Sequence, residues 1–198
     1  MIRQKIKAIL MTGAVILSLC ACGQNDATEG TSVKFQKDGT VVNTIIEDFD
    51  ESIYNVDELK SMVLNEVAAF NSSTEEKSIS VDKLEAADGK VTVVMTYAGA
   101  EKYAEFNEKV LFYGTVSEAY AAGLNFDITL NSTKKDGGTI GKEEILSMND
   151  YGIIILEEPV AVTTPTKIVY ASSNVDVLSG KSAQVTDAEQ SAAYLIIQ

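Results

Sequence analysis

The chain has no histidine and no tryptophan, and both of its cysteines fall within the first 22 of its 198 residues. Without histidine, Ser-His-Asp and Cys-His triads, histidine proton relays and the commoner zinc sites are excluded. Arginine is also scarce, since Arg3 is its one occurrence. Chemistry beyond the N-terminal segment therefore depends on carboxylate, serine, lysine and tyrosine side chains.

The charge of the chain is strongly negative. It has 16 basic and 29 acidic residues and a formal net charge of −13. Removal of residues 1–21 would subtract Arg3, Lys5 and Lys7 from the 16 basic residues and none from the 29 acidic ones, which leaves 13 − 29 = −16. Because no basic patch can dominate such a surface, we expect no nucleic-acid partner.

The first 22 residues are typical of an export signal. Basic residues precede an apolar run over residues 9–19, which is too short to span a bilayer as a resident helix. The run ends in Leu19-Cys20-Ala21-Cys22, which resembles the lipobox of bacterial lipoproteins. This resemblance implies cleavage after Ala21 and lipid attachment to Cys22. The alternative is ordinary secretory cleavage that leaves Cys22 as a free thiol.

A lipid on Cys22 would anchor the protein to the outer, extracytoplasmic face of the cell membrane. Two acyl chains hold a protein stably at a bilayer because each buried methylene contributes about 0.8 kcal/mol. After the anchor, residues 22–32 are small and polar and are predicted to form a flexible tether. The rest, residues 33–198, is predicted to be one extracytoplasmic domain with no cofactor.

The patterns in residues 33–198 predict an α+β fold. Asp38-Gly39 and Asp88-Gly89 each separate two apolar runs and predict hairpins. Apolar residues at three- and four-residue steps predict one main helix over residues 56–70, capped by Asn55 and packed on an antiparallel sheet. Shorter helices are predicted at 99–109, 117–122 and 142–148, and strands at 110–113, 126–130, 153–156, 166–170, 175–178 and 194–197. The strand-rich C-terminal part leaves open a subdivision near Leu124.

Carboxylates are the best candidates for building a site. Asp48, Asp50 and Glu51 follow Glu47 in one short connection, and hard oxygen ligands on a loop favour Ca²⁺. The spacing lacks the Gly and the final Glu of an EF-hand, so a solvated acidic loop is the alternative interpretation. A second carboxylate pair, Glu157-Glu158, has the chemistry for glycoside cleavage if a further acid lies at the right separation.

Two short motifs and one cluster of aromatic residues invite other interpretations. Ser132-Thr133-Lys134-Lys135 has the Ser-x-x-Lys spacing of penicillin-interacting acyl enzymes, but it precedes two glycines and predicts a loop. Gly180-Lys181-Ser182 matches the end of a phosphate-binding loop, whose earlier glycine is replaced by Val175. Aromatic side chains between Tyr97 and Phe126 are expected to pack in the core rather than to form a binding surface.

Three further segments carry a resemblance to a group of uncharacterised lipoproteins from anaerobic Gram-positive gut bacteria. They are residues 96–107, with Thr96-Tyr97-Ala98 and Tyr103-Ala104-Glu105-Phe106-Asn107, residues 112–119 (FYGTVSEA) and residues 167–175 (KIVYASSNV). The resemblance covers most of the chain after the signal. It implies an exported, lipid-anchored domain and transfers no reaction and no site residues.

These observations favour a noncatalytic binding or interaction module at the cell envelope, with a cell-wall or surface-protein partner. The first alternative is a hydrolase of envelope polymers that uses carboxylates or a Ser-Lys pair. The second alternative is a structural subunit of a surface assembly, which predicts a large exposed apolar patch. Enzyme activity is thus left open, and the scarcity of catalytic side chains favours its absence.

Overall fold

A computed structural model of the chain describes residues 30–74, 77–187 and 191–198. These residues contain four helices and thirteen strands, and the strands form two mostly antiparallel sheets of seven and six strands. The fold therefore has mixed α/β content and is rich in strands. The predicted signal, Ala21, Cys22 and residues 23–29 of the predicted tether lie outside the described residues.

The elements are numbered in chain order. The helices are α1 (Val56–Ser72), α2 (Ala100–Asn107), α3 (Val116–Ala121) and α4 (Lys142–Ser147). The strands are β1 (Ser32–Phe35), β2 (Val41–Asp48), β3 (Ile79–Ala87), β4 (Lys90–Tyr97), β5 (Leu111–Thr115), β6 (Leu130–Ser132), β7 (Thr139–Ile140), β8 (Gly152–Leu156), β9 (Ala161–Thr163), β10 (Ile168–Ala171), β11 (Val175–Val177), β12 (Ser182–Val185) and β13 (Ala193–Ile197). None of the described helices is long and apolar enough to cross a membrane.

The chain divides into two compact units. Among the described residues, 30–32 and 42–96 belong to the first unit, and 33–41 and 97–187 with 191–198 belong to the second. The boundary lies between residues 96 and 97, whereas the subdivision that the sequence left open lies near Leu124. Residues 33–41 belong to the second unit although they precede the first unit's residues 42–96 in the chain. A shift in composition along the sequence cannot predict such an arrangement.

The first unit is built around helix α1. Asn55 caps the helix as predicted, since its Oδ1 accepts hydrogen bonds from the N–H groups of Asp57 at 2.8 Å and Glu58 at 3.2 Å. The buried stripe of α1 is Leu59, Val63, Val67 and Phe70, and the helix packs against β3. Neighbouring strands follow the order β2-β4-β3. The predicted turn between β3 and β4 is present, and Asp88 and Gly89 have φ values of 54° and 73°, as a type I′ turn requires.

The second unit contains the six-stranded sheet, whose order is β5-β8-β13-β10-β6-β7. All of its neighbouring strands pair antiparallel, and the register aligns Thr115 of β5 with Gly152 of β8 and Gly152 with Ile197 of β13. One face of this sheet packs on α3 and α4 through a buried cluster that contains Val116, Ala119, Phe126, Leu130, Ile145, Ile153, Ile155, Tyr194 and Ile196. The unit also holds strands in the order β11-β12-β9-β1.

One strand prediction is wrong. Residues 126–130 were expected to form a strand, but only Leu130 belongs to one. The side chains do alternate, because Phe126 and Leu130 are buried while Asp127 and residue 129 are exposed. Without a neighbouring strand the segment forms no ladder. The sequence patterns also missed strands β7, β9 and β12, which have only two to four residues each.

Candidate functional site

The acidic loop lies in the first unit, directly after β2. Asp48, Asp50 and Glu51 line a shallow depression of about 440 Å³. The Asp50 carboxylate accepts hydrogen bonds from the Ser52 hydroxyl at 2.6 Å and the Ser52 N–H at 2.9 Å, and these bonds lower the pKa of Asp50. Burial, assisted by the charge of Asp48, raises the pKa of the neighbouring Glu47.

These carboxylates do not converge on a common point. Within the described ranges, no group of three or more aspartate or glutamate side chains has a geometry that could hold a metal ion. Asp50 instead uses its Oδ1 to close a local turn. The geometry of the loop therefore gives no support to a calcium site and agrees with the alternative of a solvated acidic loop.

A larger concave surface lies in the second unit, along strand β5. It is an open groove of about 1460 Å³, which we call the β5 groove. It is lined by all of β5, residues 98–101 and 104 at the start of α2, residues 37–39, Glu118, and residues 150–152, 165–166 and 197–198. It is larger than the depression at the acidic loop and is therefore the stronger candidate for a binding site.

Strand β5 is an edge strand, paired on one side with β8. The Val116 N–H donates to the Tyr151 carbonyl at 3.0 Å, and the Glu157 N–H donates to the Val110 carbonyl at 3.3 Å. Hydrogen-bonded positions alternate in an antiparallel pair, so even-numbered residues of β5 bond to β8. The backbone N–H and C=O groups of Leu111 and Tyr113 point away from β8, toward the open edge.

The strand ends at a capping box that begins α3. Glu118 accepts hydrogen bonds from the Thr115 N–H at 2.8 Å and the Thr115 hydroxyl at 2.9 Å, while the Thr115 hydroxyl accepts from the Glu118 N–H at 3.1 Å. The outward N–H of Thr115 is thereby satisfied within the chain. The capping box therefore ends the unpaired edge of β5 at Thr115. The outward N–H and C=O groups that remain along this edge are those of Leu111 and Tyr113.

The side chain of Tyr113 fixes the other flank of β5. Its ring makes an edge-to-face contact with Phe35, with centroids 5.3 Å apart, and its hydroxyl donates to the Gln36 carbonyl at 3.4 Å. Burial, followed by the negative charge of Asp38, raises the pKa of Tyr113. The tyrosine is thus a neutral hydrogen-bond donor over the physiological pH range and holds β5 beside the turn at residues 37–39.

The charge of the β5 groove is predominantly negative. Its charged lining residues are Lys37, Asp38, Glu101, Glu118 and Asp150. Hydrogen bonds from Thr40, with its hydroxyl first, lower the pKa of Asp38, and hydrogen bonds from the N–H and hydroxyl of Thr115 lower the pKa of Glu118. Both carboxylates therefore stay ionised to a lower pH than free side chains do.

Helix α2 is anchored beside the groove by buried tyrosines. Tyr97 and Tyr103 pack edge-to-face with centroids 5.0 Å apart, and the Asn107 side chain donates to the Tyr97 hydroxyl at 3.2 Å. The Tyr103 hydroxyl donates to Glu158 Oε1 at 3.3 Å. Burial is the main cause that raises the pKa of both tyrosines well above the ordinary value.

Three of the aromatic residues between 97 and 126, Tyr97, Tyr103 and Phe126, are buried in the core as predicted. Phe106, Phe112 and Tyr113 are only partly buried, and Phe112 and Tyr113 also line the β5 groove. Tyr120 differs, because 57% of its surface is exposed. The sequence did not identify β5 as the lining of a groove, since no pattern in a single strand reports whether it has one neighbour or two.

The two short motifs do not form catalytic or phosphate sites. Ser132 ends β6, and its hydroxyl accepts a hydrogen bond from the Lys134 N–H at 3.2 Å in a loop rather than at the start of a helix. Lys181 precedes strand β12 instead of a helix, and its ammonium donates to the Pro165 carbonyl at 3.0 Å. The carboxylates of Glu157 and Glu158 lie in different surroundings. Glu157 is exposed, and Glu158 accepts a hydrogen bond from the Tyr103 hydroxyl.

No protein-family model matches the chain, and searches of curated proteins and of solved structures found no similar protein. The β5 groove and the N-terminal sequence are therefore the features that bear on function.

Proposed function

We propose that the chain is a membrane-anchored extracytoplasmic lipoprotein with an α+β fold that acts as a noncatalytic binding module at the cell envelope. The lipobox supports the location, with Cys22 as the lipid-bearing residue after cleavage at Ala21. The observation that carries the binding role is the β5 groove, a large open concavity with polar backbone groups along one side. The expected partner is a component of the cell wall or a surface protein.

The chemistry of the groove favours binding over hydrolysis. A general acid needs a pKa near the operating pH, which usually requires a buried carboxylate. Asp38 and Glu118 are exposed and their pKa values are lowered, so both are anions at neutral pH. Both are also engaged by threonine hydroxyls of their own turns. Anions held in this way are suited to attract a cation and not to donate a proton.

The lipid anchor is tested by exchanging the two cysteines separately. With export in a lipoprotein-processing bacterium, wild type should incorporate labelled palmitate and partition into detergent. Cys22→Ser should abolish the labelling because the acceptor sulfur is lost. Cys20→Ser is the matched control and should retain it, since position 20 is the tolerant position within the lipobox. Labelling of Cys22→Ser, or none in wild type, would contradict the anchor.

The binding role is tested with envelope fragments from the same bacterium. Detergent-solubilised wild-type protein should bind purified fragments saturably and without releasing soluble products. Asp150→Lys, on the wall of the groove, should weaken the binding, while Asp136→Lys should not. Asp136 is an exposed residue of the loop between β6 and β7, so the two variants make the same charge change. Release of fragments during incubation would favour the hydrolase instead.

A further inference from the structure

The open edge of β5 has the features of an edge strand that can pair with an added strand. Leu111 and Tyr113 each direct one N–H and one C=O away from β8, and the adjacent N–H of Thr115 is satisfied by Glu118. These groups lie in the β5 groove. Unpaired backbone groups along a strand edge are a template for pairing with another extended chain.

The other edge strands differ from β5. Strand β3 carries an exposed ion pair between Lys83 and Glu85, a common protection of an edge against pairing. Strands β7 and β11 have two and three residues, which offer too few ladder positions. Strand β5 has five residues, and the part of α2 that lines the groove includes two small residues, Ala100 and Ala104, beside Glu101. Small side chains leave room for an added backbone.

The charge of the groove selects the kind of chain that fits. The groove is lined by four carboxylates and one ammonium, those of Asp38, Glu101, Glu118, Asp150 and Lys37. Complementary potentials guide association and disfavour wrong partners. A second copy of this chain carries the same net charge of −13, and its residues 23–29 include Asp26 and Glu29 but no basic residue. The acidic groove therefore repels a second copy of the chain and also the chain's own residues 23–29.

We propose that β5 binds an extended, lysine- or arginine-bearing peptide segment of a partner protein as an added β-strand. The inference rests on the proposed binding function and names the ligand class of the β5 groove. Main-chain hydrogen bonds to Leu111 and Tyr113 supply the pairing, and the acidic lining residues hold the basic side chains. The backbone alternation of β5 makes the interaction distinct from simple attraction between opposite charges.

The test uses full-length protein in detergent and an eight-residue peptide of alternating lysine and valine, capped at both ends. The peptide should bind with slowed hydrogen exchange at the amides of Leu111 and Tyr113. Two N-methylated versions, one methylated at every lysine nitrogen and one at every valine nitrogen, keep the charge and remove alternate N–H donors. One version should bind about tenfold more weakly or worse, and the other should bind nearly as well as the parent.

Charge is tested separately from pairing. Asp150→Lys and Glu101→Lys should each weaken binding about threefold or more, whereas Asp136→Lys should have little effect. A peptide with glutamate in place of lysine should not bind. Equal effects of the two methylations, or no amide protection in β5, would overturn the proposal. Dimerisation of the protein alone through β5, seen by sedimentation, would also overturn it because the occupant would be a second copy.

The outcome separates this inference from the proposed function. If envelope fragments bind saturably while the peptide does not, the binding module stands and the added-strand inference fails. If the peptide binds as described but the fragments do not, the role at the envelope fails and the specificity of β5 stands. Failure of both would remove the binding function.

Discussion

At the residue scale, Asn71 joins the end of α1 to the start of β3. Its Oδ1 accepts from the N–H groups of Ser78 and Ile79, both at 2.9 Å, and its Nδ2 donates to the Ile79 carbonyl at 2.8 Å. The sequence identified the cap Asn55 but not Asn71. A cap bonds within three residues, so its pattern is local, whereas the partners of Asn71 are seven and eight residues away.

We expect Asn71→Ala to lower the free energy of unfolding by about 2 kcal/mol, because it leaves three partly buried backbone groups without their partner. Asn71→Asp keeps both acceptor bonds and loses one donor, so its loss should be smaller. Urea unfolding followed by circular dichroism measures both. Asn55→Ala is a useful reference at about 1 kcal/mol. Equal stability of Asn71→Ala and wild type would show that the bridge contributes nothing.

The buried tyrosines predict how stability depends on alkaline pH. Burial raises the pKa of Tyr97 and Tyr103 above the ordinary value near 10. Above pH 10 the unfolded chain releases these two protons while the folded chain keeps them. Stability therefore is unaffected by them below pH 10 and falls as the pH rises further, by about 1.4 kcal/mol per pH unit for each tyrosine.

The measurement is the free energy of unfolding from pH 9 to pH 12. Tyr97→Phe and Tyr103→Phe should each make the fall between pH 10 and pH 12 shallower, even where the variant is less stable at pH 7. Tyr120→Phe is the matched control for the loss of a tyrosine hydroxyl, because Tyr120 is exposed. An unchanged slope in the two buried variants would contradict the assignment.

At the scale of elements, the segment from 124 to 130 shows what periodicity can and cannot predict. The expectation that Phe126 packs in the core as one of the aromatic residues is confirmed, and Leu130 is buried with it, since 2% and 0% of their surfaces are exposed. The prediction that residues 126–130 form a strand is wrong, because pairing depends on a neighbour and not on the segment itself. The helix α1 and the strands β8 and β13 were predicted well because each carries a long or strongly apolar pattern.

Phe126 should therefore stabilise the second unit although it lies outside any strand. Its ring belongs to the buried cluster beneath α3 and α4 and contacts Tyr120 edge-to-face at 6.1 Å. We expect Phe126→Ala to cost about 3–5 kcal/mol through lost burial and the cavity left behind. Neighbouring Asp127→Ala should cost under about 1 kcal/mol, since it removes only an exposed ion pair with Lys142.

Urea unfolding of the two variants gives the comparison directly. A small effect of Phe126→Ala would mean that the segment does not hold its side chain in the core.

For the candidate site, too, a local sequence pattern predicts a strand but not which strands lie beside it. The sequence predicted a strand near residues 110–113, but the edge position of β5 depends on pairing with β8, about forty residues later. No local pattern encodes that order.

At the scale of the whole molecule, the excess of acidic residues is the dominant feature. With a net charge of −13 and no basic residue other than lysine after Arg3, the folded chain repels itself. Ion pairs such as Lys83 with Glu85 and Lys142 with Asp127 have largely exposed side chains and contribute little. Added salt therefore screens more repulsion than attraction.

We expect the melting temperature to rise by about 3 °C between 10 mM and 150 mM sodium chloride at pH 7, measured by calorimetry. The double variant Asp136→Lys with Asp176→Lys reverses two exposed charges and should show a smaller rise, because less repulsion is left to screen. An uncharged osmolyte at the same osmolarity should not reproduce the difference between the two proteins. A melting temperature that falls with salt would contradict this prediction. It would show that attraction within ion pairs outweighs the repulsion among the excess acidic residues.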